Sequence, residues 1–229
     1  MPAGKGSSRE GAPGAIFDLD GTLLNTIEDL SDCLNLALDD LGYPRRTLSE
    51  FQAMLGNGVT RFTLAALPPE KGTEENALLL RARFKERYAR GQAVKTRPYP
   101  ATGELLRELK KRGWPLGVLS NKDHENTRHL IDLYFPGVFQ AVLGARPGVP
   151  LKPDPQAALE LAGLLQRAPG DIFYLGDSDT DMLTAKNAGF RAAGVSWGFR
   201  SPELLRASGA EAVLENPWDL FRLEGASRT

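Results

Sequence analysis

Several classes of protein are excluded by what this 229-residue sequence lacks. Cys33 is its only cysteine, so no disulfide can form within the chain, and a reducing cytoplasm is the expected location. No apolar run approaches the roughly 18 residues that a membrane-spanning helix needs, so no membrane contact is expected. Basic residues number 28 against 29 acidic ones, a net charge of −1, which argues against nucleic acid or an anionic membrane as a partner.

The two ends of the chain also lack marked features. Residues 1–11 and 226–229 are mostly small and polar, and the first segment has no apolar stretch of the kind found in a secretory signal. We therefore predict flexible tails at both ends. Hydrophobic residues make up 41% of the chain, which is enough for one domain with its own core and a sizeable insertion.

Short apolar runs alternate with segments of helical spacing over most of the chain. The runs predict β-strands at 15–19, 116–119, 140–143, 172–175, 192–195 and 212–214. The segments between them predict helices at 102–112, 123–134, 155–166 and 179–188. Strands that alternate with helices are typical of βαβ units, so we predict an α/β fold with a doubly wound, Rossmann-like parallel sheet.

One stretch interrupts this alternation. From residue 27 to about residue 94 no segment has the pattern of a strand, and apolar residues recur at helical spacing at Ile27, Leu30, Leu34, Leu38 and Leu41. Further helices are predicted at 51–54, 59–67 and 76–90. We therefore predict an α-helical cap of residues 27–95, inserted after the first strand into a core of residues 12–26 and 96–225.

Three of the predicted strands end in polar residues. The first has Asp18 and Asp20 at its end, the second is followed by Ser120 and Asn121, and the fourth by residues 177–181, DSDTD. Ligands of open parallel sheets bind beyond the carboxyl ends of the strands, so these side chains are predicted to meet in one crevice.

Each of these pieces also has a simpler interpretation when it is taken alone. Asp-Gly is a common turn, and Ser-Asn-Lys could cap a helix. Lys152 could be a solvated lysine. The DSDTD segment could be a calcium loop, but the sixth and twelfth positions of an EF-hand would then hold Met182 and Ala188, which excludes it. The order of the pieces, each placed after or between strands, favours a common site.

The same order resembles the haloacid dehalogenase-like superfamily of phosphatases. Residues 18–22, DLDGT, match its first motif, Ser120 the second, Lys152 the third, and residues 176–181, GDSDTD, the fourth. Within the superfamily the chain is most similar to the phosphoglycolate phosphatase group. The features in common are the position of the cap, GNG at 56–58, RPYP at 97–100, SNK at 120–122, KPDP at 152–155 and WGFR at 197–200.

The resemblance implies an aspartyl-phosphate mechanism. Uncatalysed hydrolysis of phosphate monoesters is so slow that an enzyme must supply a large share of ~20 kcal/mol, and a carboxylate nucleophile divides the reaction into two easier steps. By resemblance Asp18 is the nucleophile. Asp20 protonates the leaving alcohol and then activates water.

The resemblance also implies a magnesium site and a phosphate site. Mg²⁺ is expected on Asp18, the backbone carbonyl of Asp20 and Asp177, with Asp181 acting through water or through the other ligands. The phosphate is expected to meet the Ser120 hydroxyl, the Asn121 backbone N–H and the Lys152 ammonium. Gly21 is expected to let the backbone turn close to the phosphate, and Thr22 to support that loop.

The predicted cap would exclude water and contact the substrate. Gly56, Asn57 and Gly58 could form a loop that approaches the substrate, but a plain helix–helix turn explains them equally well. The basic residues of the segment 81–90 could bind an anion, although a solvated helix face is the favoured interpretation.

The leading hypothesis is a Mg²⁺-dependent phosphatase for a small phosphorylated metabolite, with 2-phosphoglycolate as the first candidate. The alternatives are a phosphomutase of the β-phosphoglucomutase type, a sugar-phosphate or nucleotide phosphatase on the same core, a metal-independent dehalogenase, and a binding protein that keeps the fold. The absence of histidine from residues 27–94 argues against the phosphomutase. Asn25-Thr26, where many relatives carry Asp-Ser, leaves the substrate open, and the sequence does not fix an oligomeric state.

Overall fold

The computed structural model describes residues 11–56 and 58–224. The tails predicted at 1–11 and 226–229 therefore lie outside the described residues, apart from Gly11. None of the described helices combines the length and the hydropathy that crossing a membrane would require.

A six-stranded parallel sheet forms the centre of the molecule. Its strands are β1 (Gly14–Phe17), β4 (Leu116–Asp123), β5 (Ala141–Ala145), β6 (Ile172–Gly176), β7 (Arg191–Val195) and β8 (Ala212–Leu214). Their order across the sheet is β5-β4-β1-β6-β7-β8. The chain thus starts in the middle, winds outward to one edge, and returns beside β1 to wind outward to the other. This is the predicted doubly wound topology, which the structure confirms.

Helices cover both faces of this sheet because successive side chains of a buried strand point to opposite sides. Phe17 and Phe173 belong to the apolar cluster on one face, together with residues of α5 (Thr102–Lys111) and α6 (His124–Tyr134). Ile16 and Tyr174 belong to the cluster on the other face. That cluster includes residues of α7 (Gln156–Leu164), α8 (Asp179–Ala188) and α9 (Pro202–Ala207), and α10 (Leu220–Glu224) closes the described chain.

Four of the described α-helices lie between Asn25 and Arg97 in sequence. They are α1 (Ile27–Asp40), α2 (Leu48–Met54), α3 (Gly58–Ala66) and α4 (Glu74–Gly91). Their apolar side chains, among them Leu34, Phe51 and Leu80, form a third cluster that is distinct from the two on the sheet. Within residues 27–56 and 58–94 the structure has no strand, in agreement with the prediction.

The sequence analysis predicted neither helix α9 nor helix α10, and it also missed two short strands. β2 (Leu24–Asn25) and β3 (Arg97–Pro98) form a short antiparallel pair where the chain leaves the sheet and where it returns. Two residues per strand are too few to show a periodicity. In addition, β4 runs to Asp123, whereas the apolar run predicted an end at residue 119. Its register against β5 shifts between Leu119 and Asp123, so the polar residues in between lie inside an irregular strand.

Candidate active site

Asp18 and Asp177 lie side by side at the carboxyl edge of the sheet. Each directly follows a strand, and the strands are neighbours, with Phe17 paired to Leu175. The Asp18 backbone N–H donates to the Leu175 carbonyl at 2.9 Å, which holds the ends of β1 and β6 together. Carboxylate oxygens of Asp18, Asp177 and Asp181 all lie within 4.8 Å of one another, so three buried carboxylates meet at this edge.

Asp181 is the most enclosed of the three carboxylates, with 0% exposure. It sits in the first turn of α8, where the Ser178 N–H donates to its Oδ2 at 3.1 Å in a reciprocal capping arrangement. Its Oδ1 accepts from the Lys152 ammonium at 2.7 Å and from the Tyr174 hydroxyl at 3.2 Å. Both of its oxygens are therefore engaged by donors of the protein.

Lys152 joins two of the carboxylates. Its ammonium lies 3.0 Å from Asp18 Oδ1 and 2.7 Å from Asp181 Oδ1, and it also donates to the Leu119 carbonyl at 3.2 Å. The side chain is only 3% exposed, which excludes the interpretation as a solvated lysine. Burial lowers the pKa of Lys152, but the two carboxylates outweigh it and hold that pKa well above its usual value.

The crowding of acids raises the pKa of the carboxyl groups. Burial, and then the charge of Asp181, raise the pKa of Asp18 from 3.8 to about 7, against the opposing effect of Lys152. Burial, followed by Asp181 and Asp18, holds the pKa of Asp177 well above its usual value. A further positive charge would relieve this repulsion.

The donor set fits a hard dication. Asp18 Oδ1 already accepts from the Leu19 N–H at 2.7 Å, and Asp177 Oδ2 from the Phe199 N–H at 2.7 Å. The opposite oxygen of each carboxylate is then the candidate ligand. Closely spaced carboxylate oxygens are the ligands that Mg²⁺ prefers. The oxygens of Asp181 accept hydrogen bonds from Lys152 and Ser178, and its indirect role at the metal stays a prediction.

Asp20 turns away from this acidic cluster and faces Lys122. The Lys122 ammonium lies 3.0 Å from Asp20 Oδ1 and 3.1 Å from Oδ2, and Thr26 donates to Oδ1 at 2.6 Å. The Lys122 side chain is 7% exposed, while that of Asp20 is 20% exposed. The sequence analysis gave Lys122 no role, although its place at the polar end of β4 was a usable signal.

Ser120 and Asn121 occupy the irregular part of β4 and line the same cavity as Asp18. Ser120 Oγ accepts from the Lys122 N–H at 3.2 Å. The Asn121 amide donates to the Gly56 and Lys152 carbonyls, each at 3.1 Å, and accepts from the Lys152 N–H at 2.8 Å. Asn121 therefore connects β4 to the loop that carries Lys152 and to the residue Gly56, just after α2.

Gly21 is required by a close approach to Asp177. Its φ of +85° is in the left-handed region, and a Cβ there would lie 2.3 Å from Asp177 Oδ2. The neighbouring Thr22 is buried, and its hydroxyl donates to Asp177 Oδ1 at 3.4 Å. The loop of residues 18–22 thus packs directly against Asp177, at the end of β6.

The four-helix segment, α1–α4, forms the wall of the cavity opposite the carboxyl edge of the sheet. Gly56 and Gly58 line it, whereas Asn57 lies outside the described residues. Its other walls from this segment are mostly apolar: Leu30, Leu55, Val59, Phe62, Phe84, Lys85 and Tyr88. On the opposite side Arg200 donates to the Gln52 carbonyl at 2.6 Å and to the Leu55 carbonyl at 2.8 Å.

The basic segment 81–90 is divided between two environments. Arg83 and Arg90 are 56% and 80% exposed, as expected for a solvated helix face. Lys85 instead lines the cavity and pairs with Asp123 at 3.2 Å. The helical pattern could not distinguish these residues, because the wall that Lys85 faces is formed by a distant segment.

An acid-lined cavity at the carboxyl edge of a doubly wound sheet, covered by a helical segment, is the architecture of an α/β enzyme. The model of the haloacid dehalogenase-like hydrolase family matches residues 15–195, and this chain belongs to that family. The family predicted from the four motifs is confirmed.

Curated relatives and solved structures support the same assignment. A phosphoglycolate phosphatase of Cereibacter sphaeroides is 33% identical over 192 residues, covering 82% of this chain and 87% of that protein. A phosphoglycolate phosphatase of Aquifex aeolicus is 31% identical, covering 91% and 94%. A solved structure from Lactobacillus delbrueckii subsp. bulgaricus is 30% identical, with a TM-score of 0.88, covering 95% of this chain and all 100% of that one.

Proposed function

We propose that this chain is a Mg²⁺-dependent phosphatase that hydrolyses a small phosphorylated metabolite through an aspartyl-phosphate on Asp18, with 2-phosphoglycolate as the first candidate. At the coarser level of enzyme class, the chain is a phosphoric monoester hydrolase. The observation that carries the proposal is that Asp18, Asp20, Lys152 and Asp177 line one cavity. The cytoplasmic location stays a prediction.

In the proposed first step, an Asp18 oxygen attacks phosphorus and the alcohol leaves. Asp20 is two residues further on and partly exposed to the cavity, so it can give its proton to the leaving oxygen. In the second step Asp20 takes a proton from water, which then releases phosphate from Asp18. Asp20 thus serves first as an acid and then as a base. Both roles require that Asp20 itself is not phosphorylated, so the phosphoryl group must go to the other carboxylate, Asp18.

The negative charges of the phosphoryl group need donors and a dication. The Ser120 hydroxyl and the Asn121 backbone N–H lie on the irregular end of β4, next to the Lys152 ammonium at 3.0 Å from Asp18. Asp18, Asp177 and the Asp20 carbonyl would hold Mg²⁺, which supplies the positive charge that lets one anion attack another. Asp181 holds Lys152 in place at 2.7 Å.

The proposed substrate is supported by the relatives. The relatives from Cereibacter sphaeroides and Aquifex aeolicus are phosphoglycolate phosphatases, and each is matched over at least 82% of this chain. The helical segment closes over the acidic cluster with apolar side chains, which would exclude water from the reacting groups.

The test is release of inorganic phosphate from a panel of substrates: 2-phosphoglycolate, 3-phosphoglycerate, a hexose 1-phosphate, a nucleoside monophosphate and p-nitrophenyl phosphate. We expect turnover with Mg²⁺ and its loss in EDTA. Conversion of the hexose 1-phosphate to the 6-phosphate would instead favour the phosphomutase, and activity on a haloacid in EDTA would favour the dehalogenase. No phosphate release from any member of the panel would overturn the proposal.

A further inference from the structure

Tyr88 places a buried hydroxyl in the wall of the active-site cavity. The residue is 2% exposed and belongs to the apolar cluster of the four-helix segment. Among the described residues its hydroxyl makes no hydrogen bond of standard geometry, although the charge of the Lys122 ammonium acts on it. A buried hydroxyl that makes no such bond costs free energy comparable to a lost hydrogen bond, and its presence calls for an explanation.

The nearest charged group is the Lys122 ammonium. It lies 4.6 Å from the centre of the Tyr88 ring and also lines the cavity. Two of its contacts go to the oxygens of Asp20, at 3.0 and 3.1 Å. An ammonium has three donors, so one N–H remains that can point to the Tyr88 phenol oxygen or to a ligand beside it. Tyr88 and Lys122 together form a small site with two donors and one positive charge.

The surroundings decide what this site can bind. The cavity lining includes apolar side chains of the four-helix segment, among them Leu30, Phe62 and Phe84, and polar Asp123 and Asn126 near Lys122 in the sequence. The other cations of the cavity are committed elsewhere: Lys152 to Asp18, and Arg200 to carbonyls of α2. Lys85 pairs with Asp123 and is 50% exposed, at the rim. A compact anion is therefore the group that the pair Tyr88 and Lys122 would recognise.

The distance from Lys122 to Asp20 sets the length of the substrate. If Asp20 protonates the leaving oxygen, that oxygen lies beside Asp20, and Lys122 is only 3.0 Å further on. The anion recognised by Lys122 must then sit close to the ester oxygen in the substrate. A carboxylate on the carbon that carries the ester oxygen has this spacing.

Resting on the proposed phosphatase function, we propose that Tyr88 and Lys122 form a carboxylate subsite that selects phosphate monoesters of short 2-hydroxy carboxylic acids. Tyr88 donates its hydroxyl hydrogen to the carboxylate, and Lys122 donates its third N–H while it keeps Asp20 in position. Sugar phosphates present neutral hydroxyl groups at that distance, so they offer the Lys122 ammonium no negative charge beyond that of Asp20.

The experiment compares kcat/KM for 2-phosphoglycolate with kcat/KM for ethyl phosphate, a two-carbon ester that lacks the carboxylate. We expect the wild type to prefer 2-phosphoglycolate by more than about tenfold, as a hydrogen bond to a charged group predicts. Y88F should lower this selectivity ratio by about tenfold, mainly through KM. K122M should lower it further, whereas K122R, which keeps the charge, should restore part of it.

Y43F is the matched control, because Tyr43 packs against the same apolar cluster and does not line the cavity. It should leave the ratio unchanged. A purely structural role of Tyr88 would lower both kcat/KM values in Y88F by the same factor and overturn the inference. Should Y88F fail to fold, a wild type that hydrolyses ethyl phosphate as well as 2-phosphoglycolate would overturn it equally.

Failure of the inference and failure of the proposed function give different results. If the wild type releases phosphate from p-nitrophenyl phosphate but shows no preference for the carboxylate ester, only the subsite is wrong. If it releases no phosphate from any ester with Mg²⁺ present, the proposed function is wrong, and the subsite with it.

Discussion

The role proposed for Asp18 conflicts with its surroundings in a metal-free protein: a nucleophilic carboxyl group must be ionised, yet Asp18 is buried next to two other carboxylates. Lys152, at 3.0 Å, offsets part of the repulsion but is shared with Asp181. The site therefore carries more negative than positive charge before any ligand arrives. The ionisation of Asp18 should therefore affect both the turnover of the enzyme and the free energy of unfolding.

Replacing Asp18 by asparagine should remove turnover and leave the fold intact. An amide cannot accept the phosphoryl group as a carboxylate does, so we expect kcat to fall by a factor of about 10³ or more. Far-ultraviolet circular dichroism should be unchanged. D132N is the control, since Asp132 is an exposed carboxylate on α6, and it should have wild-type activity. Near-normal activity in D18N would exclude the nucleophile role.

The stability of the metal-free protein should fall as the pH rises. The pKa of Asp18 is raised from 3.8 to about 7 in the folded state, so folding takes up a proton between these two values. The contribution of this group is therefore fully present below about pH 4 and is lost as the pH rises through about 7. Asp177, with its pKa shifted the same way, adds to the trend.

Thermal unfolding in EDTA, measured from about pH 5 to about pH 8, checks this sign. We expect Tm to decrease over that range in the wild type and to decrease less in D18N. Added Mg²⁺ should raise Tm more at the upper end, where the carboxylates are ionised. A wild-type Tm that rises with pH in EDTA, with the same profile in D18N, would show that these carboxyl groups do not govern the stability.

At the scale of elements, the end of α2 connects the helical segment to the sheet. The Arg200 guanidinium donates to carbonyls of Gln52 and Leu55, and the Gln52 amide donates to the Phe199 carbonyl at 3.2 Å. Asn121 adds its bond to the Gly56 carbonyl. Cations stabilise the free carbonyls at a helix end, so Arg200 both caps α2 and holds it over the cavity.

Replacing Arg200 by glutamine should loosen this connection. A neutral amide cannot reproduce the charge-assisted bonds to the carbonyls, so we expect faster amide hydrogen exchange in residues 48–56 and a KM raised about three- to tenfold. R206Q serves as the control, because Arg206 is exposed on α9. Unchanged exchange in residues 48–56 of R200Q would mean that Arg200 does not hold α2 in place.

At the scale of the whole molecule, the chain has separate apolar clusters for the sheet and for the four helices. Leu80 is fully buried in the helical cluster, and Leu106 in one of the sheet clusters. We propose that residues 27–95 form a cap that moves as a unit on the core of residues 12–26 and 96–225. The β2–β3 pair, where the chain passes from the core to the cap and back, would then be the hinge of this cap.

Truncating one leucine in each cluster tests this division. Leu80→Ala and Leu106→Ala should each cost about 2–5 kcal/mol, the range for leucine cavities in packed cores. Hydrogen exchange should rise mainly in α1–α4 for L80A, and across the sheet and its helices for L106A. The same uniform increase in both variants would show that cap and core unfold as one unit.

Local patterns in the sequence were sufficient for most of the elements. α8 and β8 have the predicted bounds, and the other main strands and helices overlap their predictions. These predictions succeed because burial on both faces forces continuous apolar runs in a parallel sheet, and burial on one face forces helical spacing. The end of β4 departs from its prediction because Ser120, Asn121 and Lys122 are polar and carry no strand pattern.

The sequence alone was enough to predict the fold class, the family and the motif residues that line the candidate site, because these residues follow strands and parallel strands bring their ends to one edge. The packing of distant segments settled which of these side chains face one another. Lys152 lies between Asp18 and Asp181, Lys122 meets Asp20 across 102 positions of sequence, and Tyr88 turns from a helix-core residue into a cavity wall. Such pairings depend on how distant segments pack, and no local pattern records that.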